Sequence, residues 1–143
     1  MSEPIETRDY EFRSASRLYA FVRMRGEEDP LLHLVVRHVY SAQPWWLAVE
    51  RLVFVLDGHE HVLHTSGHGI RAIQSIGNAR MTEWFCVSAG QTEKALIKSI
   101  IKARSVVLRC ESEAGTHDRQ ISPDEIRQLE DVVLSWQVLG GTW

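Results

Sequence analysis

The strongest constraint on the fold is a hairpin signal near the middle of the chain. Residues 50–69 read ERLVFVLDGHEHVLHTSGHG, so an alternating apolar run meets Asp57-Gly58 and a second extended run follows. Asp-Gly between two such runs predicts a tight two-residue β-turn, because this turn requires positive φ angles that glycine adopts without cost. Residues 50–56 carry apolar side chains on both faces of the predicted strand. A strand of this kind is typical of two packed layers.

Further strands are predicted on both sides of this hairpin. Alternating or β-branched runs of suitable length lie at residues 17–25, 31–40, 82–88, 105–111 and 118–121. The segment 66–80 contains several glycines and is expected to be a long loop, with at most a short strand at 70–73.

Two helices are predicted in the second half of the chain. Over residues 92–103 the apolar side chains recur at helical spacing, and Lys94, Lys98 and Lys102 form a second stripe. The second helix, 123–139, begins with a capping box in which Ser122 is the N-cap and Glu125 follows three residues later. The sequence therefore predicts an α+β or mainly β fold, an antiparallel β-sandwich or curled sheet of about six to eight strands with two helices.

Length and composition favour one ordinary globular domain spanning residues 1–143. The chain is long enough to bury a core without a metal or a disulfide, so Cys86 and Cys110 are expected to be free, buried thiols. The net charge of −3 disfavours general nucleic-acid binding. No secretory signal or continuous apolar span appears, so we expect a cytoplasmic protein without membrane contact.

Four histidines near the hairpin are candidate metal ligands. His59 and His61 share one face of the predicted strand, where two neutral imidazoles can chelate zinc. His64 falls on the opposite face unless the strand bends, and His68 lies between two glycines. Their spacing matches neither H-E-x-x-H nor a zinc finger. A metal-binding protein or metal-dependent hydrolase is therefore the alternative to solvent-facing histidines without a metal.

Motifs for other enzymatic chemistry are absent from the sequence. There is no G-x-x-x-x-G-K-[ST] loop and no G-x-G-x-x-G after a strand. The S-x-x-K at Ser99 lies within a predicted helix and lacks the companion motifs of a serine hydrolase. The sequence thus favours a protein that is not an enzyme and needs no cofactor, with a divalent metal such as zinc required only by the alternative.

Two surface features are candidates for binding. Trp45 and Trp46 cannot both face inward on a regular strand, so either one of them lies at a rim that serves recognition or the pair covers one end of the sandwich. The lysine stripe either guides a charged partner or forms a solvated helix face. The leading hypothesis is a non-enzymatic binding or assembly module whose partner is a second copy of the chain, as a homo-oligomer, or another protein. A carrier of a small apolar ligand is the third hypothesis.

Overall fold

The computed structural model describes residues 16–41, 49–65, 70–77, 80–113 and 115–143. Within these ranges the chain forms eight strands and two helices. In chain order they are β1 Arg17–Arg25, β2 Glu28–Ser41, β3 Arg51–Leu56, β4 His59–His64, β5 Ile70–Gly77, β6 Arg80–Ser88, α1 Gln91–Lys102, β7 Val106–Ser112, β8 Gly115–Gln120 and α2 Pro123–Val138. The predicted α+β fold of antiparallel strands with two helices is confirmed.

The strands form two four-stranded antiparallel sheets. The first has the order β1-β2-β6-β5 and the second has the order β4-β3-β7-β8. Asp57 and Gly58 adopt φ angles of 50° and 87°, which is the left-handed turn that the Asp-Gly pair predicts between β3 and β4. This turn sets the register of β3 and β4, in which Leu56 pairs with His59.

A single hydrophobic core joins both sheets to both helices. Alternate residues of β1, β2, β3, β6 and β7 point to it, as Leu52, Phe54 and Leu56 of β3 do, and we call this side of each sheet the inner face. The helices contribute the apolar stripes that the sequence predicts, among them Ile97 of α1 and Trp136 of α2. Burial of these side chains from both sheets and both helices explains why residues so distant in sequence fold together.

Helix α2 covers one edge of the first sheet. The side-chain amide of Gln128 bonds the backbone of Ala20 twice: its Oε1 accepts from the Ala20 N–H at 3.1 Å and its Nε2 donates to the Ala20 carbonyl at 2.8 Å. The Leu18 N–H donates to Glu125 at 2.8 Å. These side chains take the place of a neighbouring strand, so this part of β1 cannot pair with another chain.

The structure differs from the sequence prediction in several strand bounds. β6 begins at Arg80 and not at residue 82, and β8 spans Gly115–Gln120 and not 118–121. β2 begins at Glu28 and not at Leu31, because the turn after β1 is confined to Gly26 and Glu27. The predicted long loop 66–80 contains the eight-residue strand β5, which is therefore longer than the short strand expected at 70–73. β5 pairs with β6 along its length, and this pairing stabilises a strand that its own sequence only weakly favours.

Within the described ranges, neither helix has the length and apolar character needed to cross a membrane.

Candidate binding edge

The histidine-rich strand β4 lies at one edge of the second sheet. His59 and His61 are on its inner face and His64 is on the opposite face, as strand alternation predicts. All three side chains are exposed. His59 and His61 point towards α1, and both help to line a groove beside that helix.

The predicted metal site is not assembled by the part of the chain that the structure describes. Among these residues, no three His, Cys, Asp or Glu side chains come close enough together to hold a metal ion. His68 lies outside the described residues, so its place in a metal site stays a prediction. In the described structure His59 and His61 lie on the same face of β4, and His64 lies on the opposite face.

The pairing of β3 with β4 determines which backbone groups of β4 are used. In an antiparallel pair, alternate residues direct both N–H and C=O towards the neighbouring strand, and the residues between them direct theirs away. The two-residue turn makes His59 a hydrogen-bonded partner of Leu56. At the other end, the Thr65 N–H donates to the Glu50 carbonyl at 3.1 Å. At both ends of β4, therefore, the N–H and C=O groups of the odd-numbered residues point towards β3.

The even-numbered residues of β4 present a free hydrogen-bonding edge. The N–H and C=O groups of Glu60, Val62 and His64 point away from β3, and no described strand pairs with them. Val62 is also 43% exposed. In contrast to β1, this edge is not covered by side chains of α2, and among the described residues no strand occupies it, so another extended chain can pair with it.

A groove runs between β4 and α1. It consists of two adjoining parts of about 410 and 490 Å³ that share His61 and Ser99. Beside Glu93, Leu96 and Lys102, the helix contributes three small side chains to the groove, at Thr92, Ala95 and Ser99. Because these residues are small, the helix leaves space beside the strand edge.

The two ends of this groove differ in chemistry. The first part is lined by apolar residues, among them Leu63 of β4 and Leu96 of α1. The second part contains the carboxylates of Asp57 and Glu60 as well as His59 of β4 and Lys102 of α1. An extended chain in the groove would therefore meet more apolar side chains at one end and charged groups of both signs at the other.

The predicted lysine stripe is divided by the fold. Lys94 lies 5.1 Å from the Trp136 ring and Lys98 lies 5.7 Å from the Trp143 ring, so both pack on the carboxyl-terminal segment as cation–π contacts. Of the three lysines, only Lys102 lines the groove. The other predicted binding residues, Trp45 and Trp46, lie outside the described residues.

Charged side chains form a row on the outer face of the second sheet beside this edge. Arg109 of β7 lies 3.6 Å from a carboxylate oxygen of Glu60 on β4 and 2.9 Å from one of Asp118 on β8. The hydrogen bond from Arg109 lowers the pKa of the Asp118 carboxyl. Negative and positive groups thus alternate across the sheet, and the row ends in a carboxylate at the free edge.

A polar cluster inside the protein was not predicted from the sequence. His38 of β2 and Glu83 of β6 are paired across their strands, and each is only 4% exposed. The Glu83 carboxylate accepts the Val49 N–H at 3.1 Å from both oxygens. Burial, followed by the positive charges of His117 and Arg119, lowers the pKa of His38 to about 4. His38 is therefore a neutral residue of the interior at neutral pH.

The alternation of inward residues along β2 and β6 could have indicated this cluster from the sequence. In β2, His38 continues the inward stripe of Leu32, Leu34 and Val36. In β6, Glu83 precedes the inward residues Phe85 and Val87. A polar residue on a stripe that is otherwise buried and apolar marks an interior polar contact.

The space beside this cluster is small. A cavity of about 10 Å³ is lined in part by His38, Glu83 and Thr65, which is room for about one water molecule. Pockets for organic ligands are typically about 300–1,000 Å³. The nearby thiol of Cys110 is also unsuited to catalysis, because burial raises its pKa to about 12. This cluster supports neither the carrier hypothesis nor cysteine catalysis.

No protein-family model matches the chain, and a search of curated proteins finds no significant match.

Proposed function

We propose that this protein is a non-enzymatic binding module that takes an extended segment of another polypeptide as an added strand on β4. The observation that carries the proposal is the row of outward N–H and C=O groups at Glu60, Val62 and His64. An added strand would bond to these groups and extend the second sheet. Main-chain hydrogen bonds then supply affinity that is independent of the partner's sequence.

The groove beside α1 adds specificity to this mode of binding. In an added strand, every second side chain would point to the inner face, about 6.6–6.8 Å apart, and enter the groove between β4 and α1. The part near Leu63 and Leu96 favours an apolar side chain, whereas the part near Glu60 and Lys102 favours a polar one. The small side chains of α1 provide the space that these groups require.

The test is a proline substitution that removes one outward N–H. In Val62→Pro the lost N–H is not used by β3, so the hairpin is expected to remain folded. The matched control is Thr116→Pro on β8, the other edge of the same sheet. On β8 the Ile121 N–H donates to the Val106 carbonyl, so the odd-numbered residues of β8 point their N–H groups towards β7. The N–H of the even-numbered Thr116 therefore points away from the sheet.

Peptides selected from a random display library on the wild-type protein are then measured against both variants. We expect peptides whose binding is weakened about tenfold or more by Val62→Pro and is retained by Thr116→Pro. Urea unfolding of each variant checks that the fold is intact. A library that yields no binder dependent on Val62 would contradict the proposal.

A further inference from the structure

The free edge of β4 is complementary to itself. If two copies pair antiparallel about a two-fold axis at Val62, this residue lies opposite Val62 of the second copy. Glu60 then lies opposite His64 of the second copy, and this pair occurs twice because the axis repeats it. Each carboxylate therefore meets an imidazole that can donate a hydrogen bond to it, and the exposed valines cover each other.

The hydrogen-bonding pattern selects this register among the alternatives. Outward-pointing residues must lie opposite outward-pointing residues, so the register can shift only in steps of two. Only the register centred on Val62 places all three outward residues of β4 opposite all three of the second copy. A shift by one step in either direction loses contacts at one end and places Glu60 or His64 opposite valine.

The outer face favours this arrangement, and the inner face leaves space for it. On the inner face, His61 lies opposite Leu63 of the second copy, and both side chains point into the space beside the small residues of α1. On the outer face, His64 of the second copy would extend the alternating row of Asp118, Arg109 and Glu60. Opposite charges directly across a strand pair stabilise it.

We infer that the partner of the β4 edge is a second copy of this chain, which pairs β4 with β4 to give one continuous eight-stranded sheet across a homodimer. This inference rests on the proposed function, since it names the occupant of the same edge. The contact is limited to two six-residue strands and the adjoining groove. Dimerisation is therefore expected to be reversible and to depend on concentration.

Site-specific disulfide trapping tests the register. The Cα atoms of a hydrogen-bonded antiparallel pair are about 5.5 Å apart, which suits a disulfide, so Val62→Cys should cross-link with itself under mild oxidation. Glu60→Cys and His64→Cys should not cross-link alone, because each residue is about 13 Å along the strand from its own copy. An equal mixture of these two variants should cross-link. Thr116→Cys on β8 and the wild-type chain give the background from random collision and from Cys86 and Cys110.

Sedimentation velocity with charge variants tests the pairing energy. Glu60→Lys should raise the dissociation constant about tenfold, because it removes two favourable cross-strand pairs and places a lysine opposite each His64. His64→Lys should preserve the dimer, and the double variant Glu60→Lys, His64→Glu should restore it by exchanging the charges. Val62→Pro should also weaken the dimer about tenfold or more.

The outcomes separate this inference from the proposed function. A wild-type chain that stays monomeric at every concentration, with Val62→Cys cross-linking no faster than Thr116→Cys, overturns the homodimer. Cross-linking of Glu60→Cys with itself overturns the register centred on Val62. If the homodimer fails but Val62→Pro still abolishes binding of selected peptides, the strand-addition function stands with a different partner.

Discussion

Replacement of Glu125 by glutamine should cost far more stability than replacement of its neighbour Asp124 by asparagine. The Glu125 side chain is 5% exposed, and its oxygens accept two hydrogen bonds from Arg119 at 2.7 and 2.9 Å. They also accept from the Leu18 N–H at 2.8 Å and the Ser122 N–H at 3.1 Å. This carboxylate therefore connects β1, β8 and the start of α2.

The magnitude follows from what glutamine cannot do at this position. A neutral amide keeps the volume, but its NH₂ group faces donors, so Arg119 loses its counter-charge and at least one donor is left unsatisfied. Breaking a buried pair in this way costs about 3–5 kcal/mol. Because the Arg119 side chain is 22% exposed and water can solvate it in part, we expect a loss of about 3 kcal/mol. That is a large share of the roughly 5–15 kcal/mol typical of a domain.

Asp124 is a matched control because it occupies the same first turn of the helix. Its side chain is 80% exposed, and its contact with Arg127 at 3.2 Å joins two exposed groups. Such a pair contributes about 0–1 kcal/mol. Both substitutions remove one negative charge from the first turn of the helix, so their difference isolates the buried network.

The assay is urea unfolding followed by tryptophan fluorescence, which reports on the buried Trp136. Burial would raise the pKa of Glu125, but the hydrogen bonds from Arg119, Leu18 and Ser122 outweigh it and hold the pKa below its usual range. The stabilisation is thus present above the unfolded-state pKa and is lost as pH falls through the folded-state value, so wild type and Glu125→Gln should converge in acid. A Glu125→Gln loss within about 1 kcal/mol of the Asp124→Asn loss, against the roughly 3 kcal/mol expected for a buried pair, would refute this reasoning.

Two further predictions concern His38 and Asp57. Because folding lowers the pKa of His38 from 6.5 to about 4, the unfolded chain takes up a proton that the folded chain excludes between these values. The free energy of unfolding should therefore fall by roughly 3 kcal/mol as pH drops from 6.5 to 4, at about 1.4 kcal/mol per pH unit. Urea titrations at several pH values measure this dependence of the unfolding free energy on pH. His38→Gln should remove most of it, whereas His59→Gln, which changes an exposed histidine, should leave it unchanged. Equal pH dependence in wild type and both variants would contradict the assignment to His38. The Asp57 carboxylate accepts the N–H groups of Arg104 at 3.0 Å and Ser105 at 2.8 Å, which ties the β3–β4 turn to the end of α1. Asp57→Ala should lower the unfolding free energy by about 1–2 kcal/mol and Asp57→Asn by less, since asparagine keeps an acceptor and tolerates a positive φ; equal losses would show that these bonds are not the cause.

Local signals in the sequence determined the turn, the helix start and the alternation of the strands. Asp57-Gly58 specifies a two-residue turn by its own backbone preferences, and that turn fixes the pairing of β3 with β4. Ser122 and Glu125 form the predicted capping box within one helical turn. Each of these features depends on residues close together in the chain, so it can be predicted without knowledge of the rest of the fold.

The order of the strands in the sheets determined which strand forms the candidate binding edge and which element lies beside it. Sequence alternation places His59 and His61 on one face, but it does not state that β4 is an edge strand or that α1 lies beside it. The strand β5 and the contact between Glu125 and Arg119 likewise depend on elements that meet only in three dimensions. Whether a backbone N–H is bonded or free is a property of its neighbour in space. For that reason the sequence revealed the hairpin, and only the tertiary structure revealed which side of it is open.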